Sequence, residues 1–518
     1  MRKQSFIKGT MILLAAGIVN RILGFVPRIT LPRIIGAEGV GLYQLGYPFM
    51  IVIITIISSG VPLAVAKLVA EAESEGNERK IRSILRVSLA ITCGLAVFFT
   101  LFCLWAAPWI TSRLLTDPRV YHTFMSMCPI LPIVALSAVY RGYFQGRQNM
   151  IPTALSQVVE TLVRIAAMLT LAYLFLPYGV EWAAAGAMIG VVIGELFGML
   201  VLLISFSRDK TRKQPGAPKS VSDGGGPSGE FRLGKLFSIA VPVTASRLVG
   251  STSYLLESIL IAQSLAVAGV ATAVATAQYG VLQGMVIPIL LMPGALTYSL
   301  SVSLIPSLSE AAARGDMKTI HKRLHQSLRL ALVTGAPFAV LMYVLAEPLC
   351  YYLYNNAEVG KMLKMMAPVA MFLYFQSPLQ ATLQALDRPG SALMNTLIGA
   401  VVKLVLIGYL ASRPQWGILG AVVAINANIA LVTLLHWHSV TRMLKFRMKG
   451  ADYWKTGLAA AVMGTICYFM MNEAWYDDPL VRFIAASVAG VVIYLISIVA
   501  LKLVDRSDFS RIPWIGKK

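Results

Sequence analysis

Apolar stretches as long as a bilayer is thick recur along this chain, and no other feature limits its fold so tightly. Crossing roughly 30 Å of hydrocarbon takes about 20 residues of helix. Backbone polar groups in oil must be satisfied internally, which leaves helices or closed barrels. Fourteen segments have the length of a helical crossing: 9–35, 43–69, 84–111, 121–140, 151–176, 182–206, 236–266, 277–308, 328–347, 362–385, 391–411, 417–440, 454–471 and 480–504. Charged residues make up 13% of the chain, against about 25% in soluble domains, and the mean hydropathy is +0.71. These values exclude an ordinary soluble enzyme and a disordered chain. They predict an all-α polytopic membrane protein with about 14 transmembrane helices. The first apolar segment is too long for the core of a signal peptide and lacks a small-residue cleavage site, so it reads as the first span. Pro288, Pro293 and Pro306 predict kinks or breaks in 277–308.

The formal charge of +21 is a topology signal. With Met1 in the cytoplasm and the sides alternating, the cytoplasmic segments hold 32 Lys and Arg and the outer segments hold 6. That is the positive-inside bias. It predicts a multi-pass plasma-membrane protein with both termini cytoplasmic and with basic loops facing anionic membrane lipids. It gives no support to a nucleic-acid partner.

One segment, 207–234, is rich in Lys, Arg, Pro, Gly and Ser, and reads as a flexible cytoplasmic linker. The sequence repeats on either side of it. A shift of 239 residues places Glu71-Ala72 on Glu310-Ala311, Gly76-Asn77 on Gly315-Asp316, Gln145 on Gln384 and Arg164 on Lys403. A shift of 226 places Arg21 on Arg247 and Gly24 on Gly250. The expected organisation is an N-lobe over 1–206, the linker 207–234, a C-lobe over 235–443, and two further helices with a basic tail over 444–518. Two six-helix lobes in pseudo-two-fold repeat, with a site between them, form a transporter plan.

Seven basic residues fall inside spans: Arg21, Arg28, Arg33, Lys67, Arg164, Arg247 and Lys403. Arg33 and Lys67 lie near span ends, where long side chains snorkel to the interface. Arg21 lies about a dozen residues into its span, roughly 18 Å along the helix axis, and Arg247 is as deep in span seven. A guanidinium at such depth costs at least about 2.5–3.5 kcal/mol, so it is expected to face the bundle interior or a wet cavity. Arg21 and Arg28 are two turns apart and share a face. Together with Arg247 they predict a cationic cavity for anionic cargo, because arginine grips phosphate oxygens bidentately. Arg164 has Glu160 at i−4, which predicts a local ion pair, and contact with the cargo is the alternative role for Arg164. Lys403 has Gly399 there instead, which predicts that it lines the cavity. Glu160, Glu195 and Glu257 are the intramembrane acids. They are candidates to neutralise an arginine or to bind a driving proton or Na⁺.

No catalytic motif competes: there is no G-x-S-x-G, Walker A or H-E-x-x-H sequence. The five cysteines show no metal spacing and read as small hydrophobes in a membrane core. The expectation is a transporter, not an enzyme, with no catalytic residues, no metal and no cofactor. Two other readings carry sequence signatures of their own. A cation-coupled multidrug or polysaccharide exporter wants acids in its cavity. A non-transporting scaffold relies on loops such as 309–329 and 441–455.

The run KGTMILLAAGIVNRILGFVPRITLPRIIGAEGVGLYQL resembles the stage V sporulation protein B family, as do SGVPLAVAKLVAEAESEGNERKIRSILR and RGYFQGRQNMIPTALSQVVE. That family belongs to the multidrug/oligosaccharidyl-lipid/polysaccharide exporter superfamily, alongside the lipid II flippases. The resemblance implies a V-shaped fold, alternating access, and outward movement of a lipid-linked anionic saccharide for spore-cortex peptidoglycan, with cell-wall synthases as partners. Arg21-Ile22-Leu23-Gly24-Phe25 is similar to the first-helix motif of those flippases. Their second basic residue of that helix falls on Pro27 here, with Arg28 one position later. Residues 43–66 and 277–308 lack the basic residues that the flippases carry in the second and eighth helices.

Overall fold

The computed structural model describes residues 6–209, 233–473 and 476–503. Most of the expected linker 207–234, the start of the N-terminus and the basic tail from 504 lie outside the described residues. Every regular element among those described is helical, which meets the bilayer's demand for internal backbone hydrogen bonding. The chain divides into two compact units, Met1–Gly284 and Met285–Lys518.

The first unit holds α1 (Phe6–Leu23), α2 (Phe25–Ser58), α3 (Val61–Ser74), α4 (Glu78–Trp109), α5 (Val120–Met127), α6 (Ile130–Gly146), α7 (Ile151–Phe175), α8 (Val180–Ser207), α9 (Leu233–Val267) and α10 (Thr272–Gly280). Helix α2 breaks at Gly36, whose φ of +68° suits a residue without Cβ. That break falls where the first span was expected to end. Helices α9 and α10 pack on α2 within this unit, although both follow the linker in sequence. Backbone approach makes that seam: a Cβ on Gly41 would meet the Thr276 carbonyl oxygen at 2.0 Å, and one on Gly280 would meet that of Ala37 at 2.1 Å. Small residues at such crossings let membrane helices gain van der Waals contact where lipid supplies no hydrophobic drive.

The second unit holds α11 (Ile287–Leu291), α12 (Gly294–Ala313), α13 (Met317–Val344), α14 (Ala346–Tyr354), α15 (Val359–Met366), α16 (Ala370–Ala385), α17 (Pro389–Leu410), α18 (Gly417–Leu444), α19 (Gly450–Asn472) and α20 (Pro479–Ala500). Helices α12, α13 and α16 share a core of Leu308, Leu324, Leu328 and Leu379. Helix α19 packs against α13 and α20 through Met463, Cys467 and Tyr494. Of the kinks or breaks expected in 277–308, a break is present at Met292-Pro293, before α12, while 272–291 runs as one helical span through a π-helical stretch at 281–286, and Pro306 lies inside α12.

Ten segments among the described residues are long and apolar enough to cross a membrane, against the fourteen expected. One of the ten, Met11–Ser74, runs for 64 residues. At 1.5 Å per residue that is roughly 96 Å of helix, about three times the hydrocarbon thickness, so interruptions at Gly36 and at Ser59-Gly60 are needed to fold it back. Helix α9, diluted by Glu257, Gln263 and its serines, is not among the ten.

The internal repeat is written in the backbone. Left-handed residues occur in pairs 239 positions apart: Gly76 with Gly315 (φ 66° and 67°), Thr116 with Asn355 (58° and 56°), and Gln148 with Asp387 (55° and 57°). Helices α4 and α13 start 239 residues apart, each capped by the side chain before it. Asn77 accepts from the Lys80 N–H and Asp316 from the Thr319 N–H, as N-cap residues do.

Candidate functional site

The charged groups of the first unit fall into a paired set and an unpaired set. The paired set forms where α7 meets α8. Gly186, Gly190, Gly194 and Gly198 recur every four residues and present one bare face of α8. A Cβ on Gly190 would meet the Met168 backbone at 2.3 Å, and one on Gly194 would meet the Arg164 Cβ at 2.5 Å. The stripe therefore draws Glu160 and Arg164 of α7 directly against Glu195 of α8.

Arg164 Nη1 lies 3.1 Å from Glu160 Oε1, the i, i+4 pair expected from spacing. Arg141, at the end of α6, donates to Glu160 Oε2 at 2.8 Å and to Glu195 Oε1 at 3.3 Å. Two acids and two bases thus neutralise one another, and both carboxylates are buried. Sequence reading placed Arg141 among loop cations. Its true position was missed because α6 runs on through RGYFQG, and its partners lie 19 and 54 residues away. Arg147, counted in the same loop, is likewise held, by Glu73 at 3.0 Å and Glu78 at 2.7 Å.

Arg28 and Arg247 differ. Arg28, in the first turn of α2, is exposed and stands 5.7 Å from the Phe25 ring centroid. Among the described residues it pairs with no carboxylate. Arg247, on α9, is exposed and donates to the Ser59 hydroxyl at 3.2 Å and to its carbonyl at 3.4 Å. This bond reaches the break between α2 and α3, and among the described residues Arg247 also meets no acid. Arg21, in the last turn of α1, is exposed and engages neighbouring groups. The half-buried rings of Tyr43 and Tyr47 stack at 6.2 Å and lie within the electrostatic reach of both Arg28 and Arg164.

Glu257 is buried on α9 and accepts from Gln283 Nε2 at 2.7 Å. Lys403, in the second unit, is buried on the α17 face that also carries Asn395 and Gly399, where α17 packs on α18, and it engages neighbouring groups there. Arg33 and Lys67 are exposed, in keeping with snorkelling. A second polar cluster escaped sequence reading: Arg119 binds Asp117 at 2.8 Å and also Glu38, and Asp117 accepts from the Thr276 hydroxyl at 2.7 Å. It joins three stretches that are distant in sequence, so no local spacing announces it.

Residues 6–312 match the family model described as polysaccharide biosynthesis protein, and residues 242–409 match the MatE model. Over its whole length the chain is 43% identical to stage V sporulation protein B of Bacillus subtilis (strain 168), covering 99% of that protein. The chain belongs to the polysaccharide biosynthesis protein family. It is also 28% identical to lipid II flippase MurJ of the same organism, over 77% of this chain and 76% of that protein. A solved MurJ structure in an inward closed conformation shares the fold, with a TM-score of 0.71 over 95% of this chain and 99% of that one, at 16% identity. An inward-facing multidrug transporter of the MATE family matches with a TM-score of 0.63 at 15% identity, over 81% of this chain and 94% of that one. Family and fold make this a multi-pass membrane protein of the MOP superfamily, the superfamily that the resemblance in sequence had implied.

Proposed function

We propose that the chain is a flippase carrying a lipid-linked pyrophosphate saccharide, a cell-wall precursor, across the plasma membrane by alternating access, with both termini cytoplasmic. The observation that carries this reading is a pair of helix-borne arginines, Arg28 and Arg247, that meet no carboxylate among the described residues. A guanidinium in a membrane helix is tolerated where it faces water or an anion. The two phosphates of such a cargo supply oxygen acceptors in the fork geometry that arginine matches. Arg21, which precedes Arg28 by two turns, is the third contact in this scheme. Likeness to stage V sporulation protein B supports spore-cortex peptidoglycan as the destination, and the MurJ relative's name supports a lipid-linked cargo. Cortex synthases are then the partners that consume it. Movement of an intact cargo requires no bond to break, so no catalytic residue is assigned.

Glu160 and Glu195 are the ion-coupling residues in this scheme. Arg141 holds Glu195 less closely than Glu160, at 3.3 Å against 2.8 Å. Glu195 is thus the carboxylate with more to gain from a proton or Na⁺. Glu257, already served by Gln283, and Lys403, seated against α18, take secondary roles. An exporter of cationic drugs fits less well, because Glu160 and Glu195 are occupied by arginines.

The test is translocation of a labelled undecaprenyl-pyrophosphate disaccharide by full-length protein in proteoliposomes, with and without an imposed proton or Na⁺ gradient. Transfer that depends on the protein and is lost in Arg28→Ala and Arg247→Ala supports the reading. Equal transfer by protein-free vesicles, or full activity in both variants, overturns it.

A further inference from the structure

A second cationic feature lies wholly within the second unit. Between the first turns of α13 and the segment 445–449, which joins α18 to α19, there is a cavity of about 380 Å³. Lys322, Arg329, Lys445, Arg447 and Lys449 line it, together with His321, His325, Gln326 and the Phe446 ring.

The cradle is built, not fortuitous. Helix α18 ends at Leu444, leaving carbonyls without helical partners. His321 Nε2 lies 2.8 Å from the Leu444 carbonyl oxygen and so caps it by donation. Lys445 follows with a left-handed φ of +51°, turning the chain across α13. From there the segment lies outside any helix, with Lys449 extended, and exposure alternates residue by residue along it. Phe446 is buried in the core of this unit and Met448 packs on the same core, with the Phe446 ring 6.0 Å from that of His321. Lys445, Arg447 and Lys449 are therefore turned the other way, and all three are exposed. On α13, Lys322, His325, Gln326 and Arg329 are spaced three, four and seven apart and share one face.

The charges are poorly matched. Lys322, Lys445, Arg447 and Lys449 pair with no carboxylate among the described residues, while His325 is served by Asp452 at 3.1 Å. The fold does not require this concentration: at the 239-residue spacing, Lys322 and Arg329 correspond to Ser83 and Ala90 of α4. Cations held close together by a rigid backbone repel one another until an anion enters between them. A basic pocket at the end of membrane helices, on the side rich in Lys and Arg, matches the chemistry of an anionic headgroup.

We propose that this cavity is a phosphate-binding site, taking the phosphate of an anionic lipid headgroup or of a soluble phosphate. It lies within the second unit and does not rest on what the arginines of the first unit carry.

The test uses full-length protein in neutral detergent and follows the rise in unfolding temperature on ligand addition, since a ligand that binds only the folded state stabilises it. The probes are short-chain phosphatidylglycerol, short-chain phosphatidylcholine and inorganic pyrophosphate. The variants are Lys322→Gln/Arg447→Gln/Lys449→Gln, which leaves His321 and Phe446 in place, and the charge-conserving Arg447→Lys/Lys449→Arg. Phosphatidylglycerol or pyrophosphate should stabilise the wild type and the charge-conserving variant. The triple variant should bind at least roughly tenfold more weakly. A response to phosphatidylglycerol alone identifies the lipid as the source, and a response to pyrophosphate alone identifies a soluble phosphate. Equal response to phosphatidylcholine, no response to either anion, or wild-type affinity in the triple variant overturns the proposal. Should the triple variant fail to fold, lack of any anion response in the wild type and the charge-conserving variant does so by itself.

Discussion

Arg141 Nη2 lies 2.8 Å from Glu160 Oε2 and 3.3 Å from Glu195 Oε1, and the two contacts turn the end of α6 into the counter-charge for two buried acids. Removing one partner of a buried pair costs about 3–5 kcal/mol, because the other charge is left unpaired. Arg141→Ala should therefore lower thermal stability sharply in detergent. Adding Glu160→Gln and Glu195→Gln to it should recover much of the loss. Arg141→Ala unfolding at the wild-type temperature would mean that Arg164 alone satisfies the carboxylates.

Arg28 and Arg247 should behave in the opposite way. Neither neutralises an acid, and each carries the insertion cost of a membrane arginine, about 2.5–3.5 kcal/mol on the milder scale. Arg28→Ala and Arg247→Ala should keep or raise the unfolding temperature while cargo transfer falls. Loss of stability in step with loss of transfer would show a structural role.

The seam between α2 and α10 gives a steric prediction. A side chain at Gly41 or Gly280 must push a backbone carbonyl aside, since each Cβ would lie at about 2 Å from one. Overpacking of this kind costs about 1–3 kcal/mol or more. Gly41→Val and Gly280→Val should both destabilise the first unit. Gly94→Ala, where no atom lies within 4 Å, should stabilise by up to about 1 kcal/mol through helix propensity. The comparison is read from unfolding temperatures measured side by side.

The cap of α13 titrates. Hydrogen bonds from the Thr319 side chain and backbone hold the Asp316 carboxyl below its ordinary range. A lowered folded-state value means that the stabilisation is present above the unfolded carboxylate pKa and is lost as pH falls through the folded one. Asp316→Ala should thus be less stable than wild type at pH 7, and the gap should close in strong acid. Asp316→Asn, which keeps an accepting oxygen, should show a smaller gap that varies less with pH. A gap that stayed constant down to pH 2 would assign the loss to packing.

How far the sequence reveals these features depends on how local their causes are. Glu160 and Arg164 announced their bond because helical spacing alone brings them together. Pro293 marked a break that the backbone requires there, and the expected end of the first span at residue 35 falls beside the break at Gly36. The 239-residue repeat, faint in side chains, is sharper in left-handed positions such as Thr116 and Asn355, where residue type differs and backbone shape does not. What could not be read was tertiary. Arg141 looked like a loop cation because its acids lie on two other helices. The packing of α9 and α10 against α2 depends on glycines more than 200 residues apart, and periodicity says nothing about which faces meet. The cavity beside α13 was hidden for the same reason, since three of its five Lys and Arg side chains come from a segment more than 100 residues downstream.

The segment 445–449 sorts its residues by parity. Even-numbered positions anchor it in the protein core, while odd-numbered ones present charge to whatever lies outside. One inserted or deleted residue there would exchange the two sets, driving three cations inward and exposing the anchor. Neighbouring loops can drift in length over time, but this one is bound to keep its count.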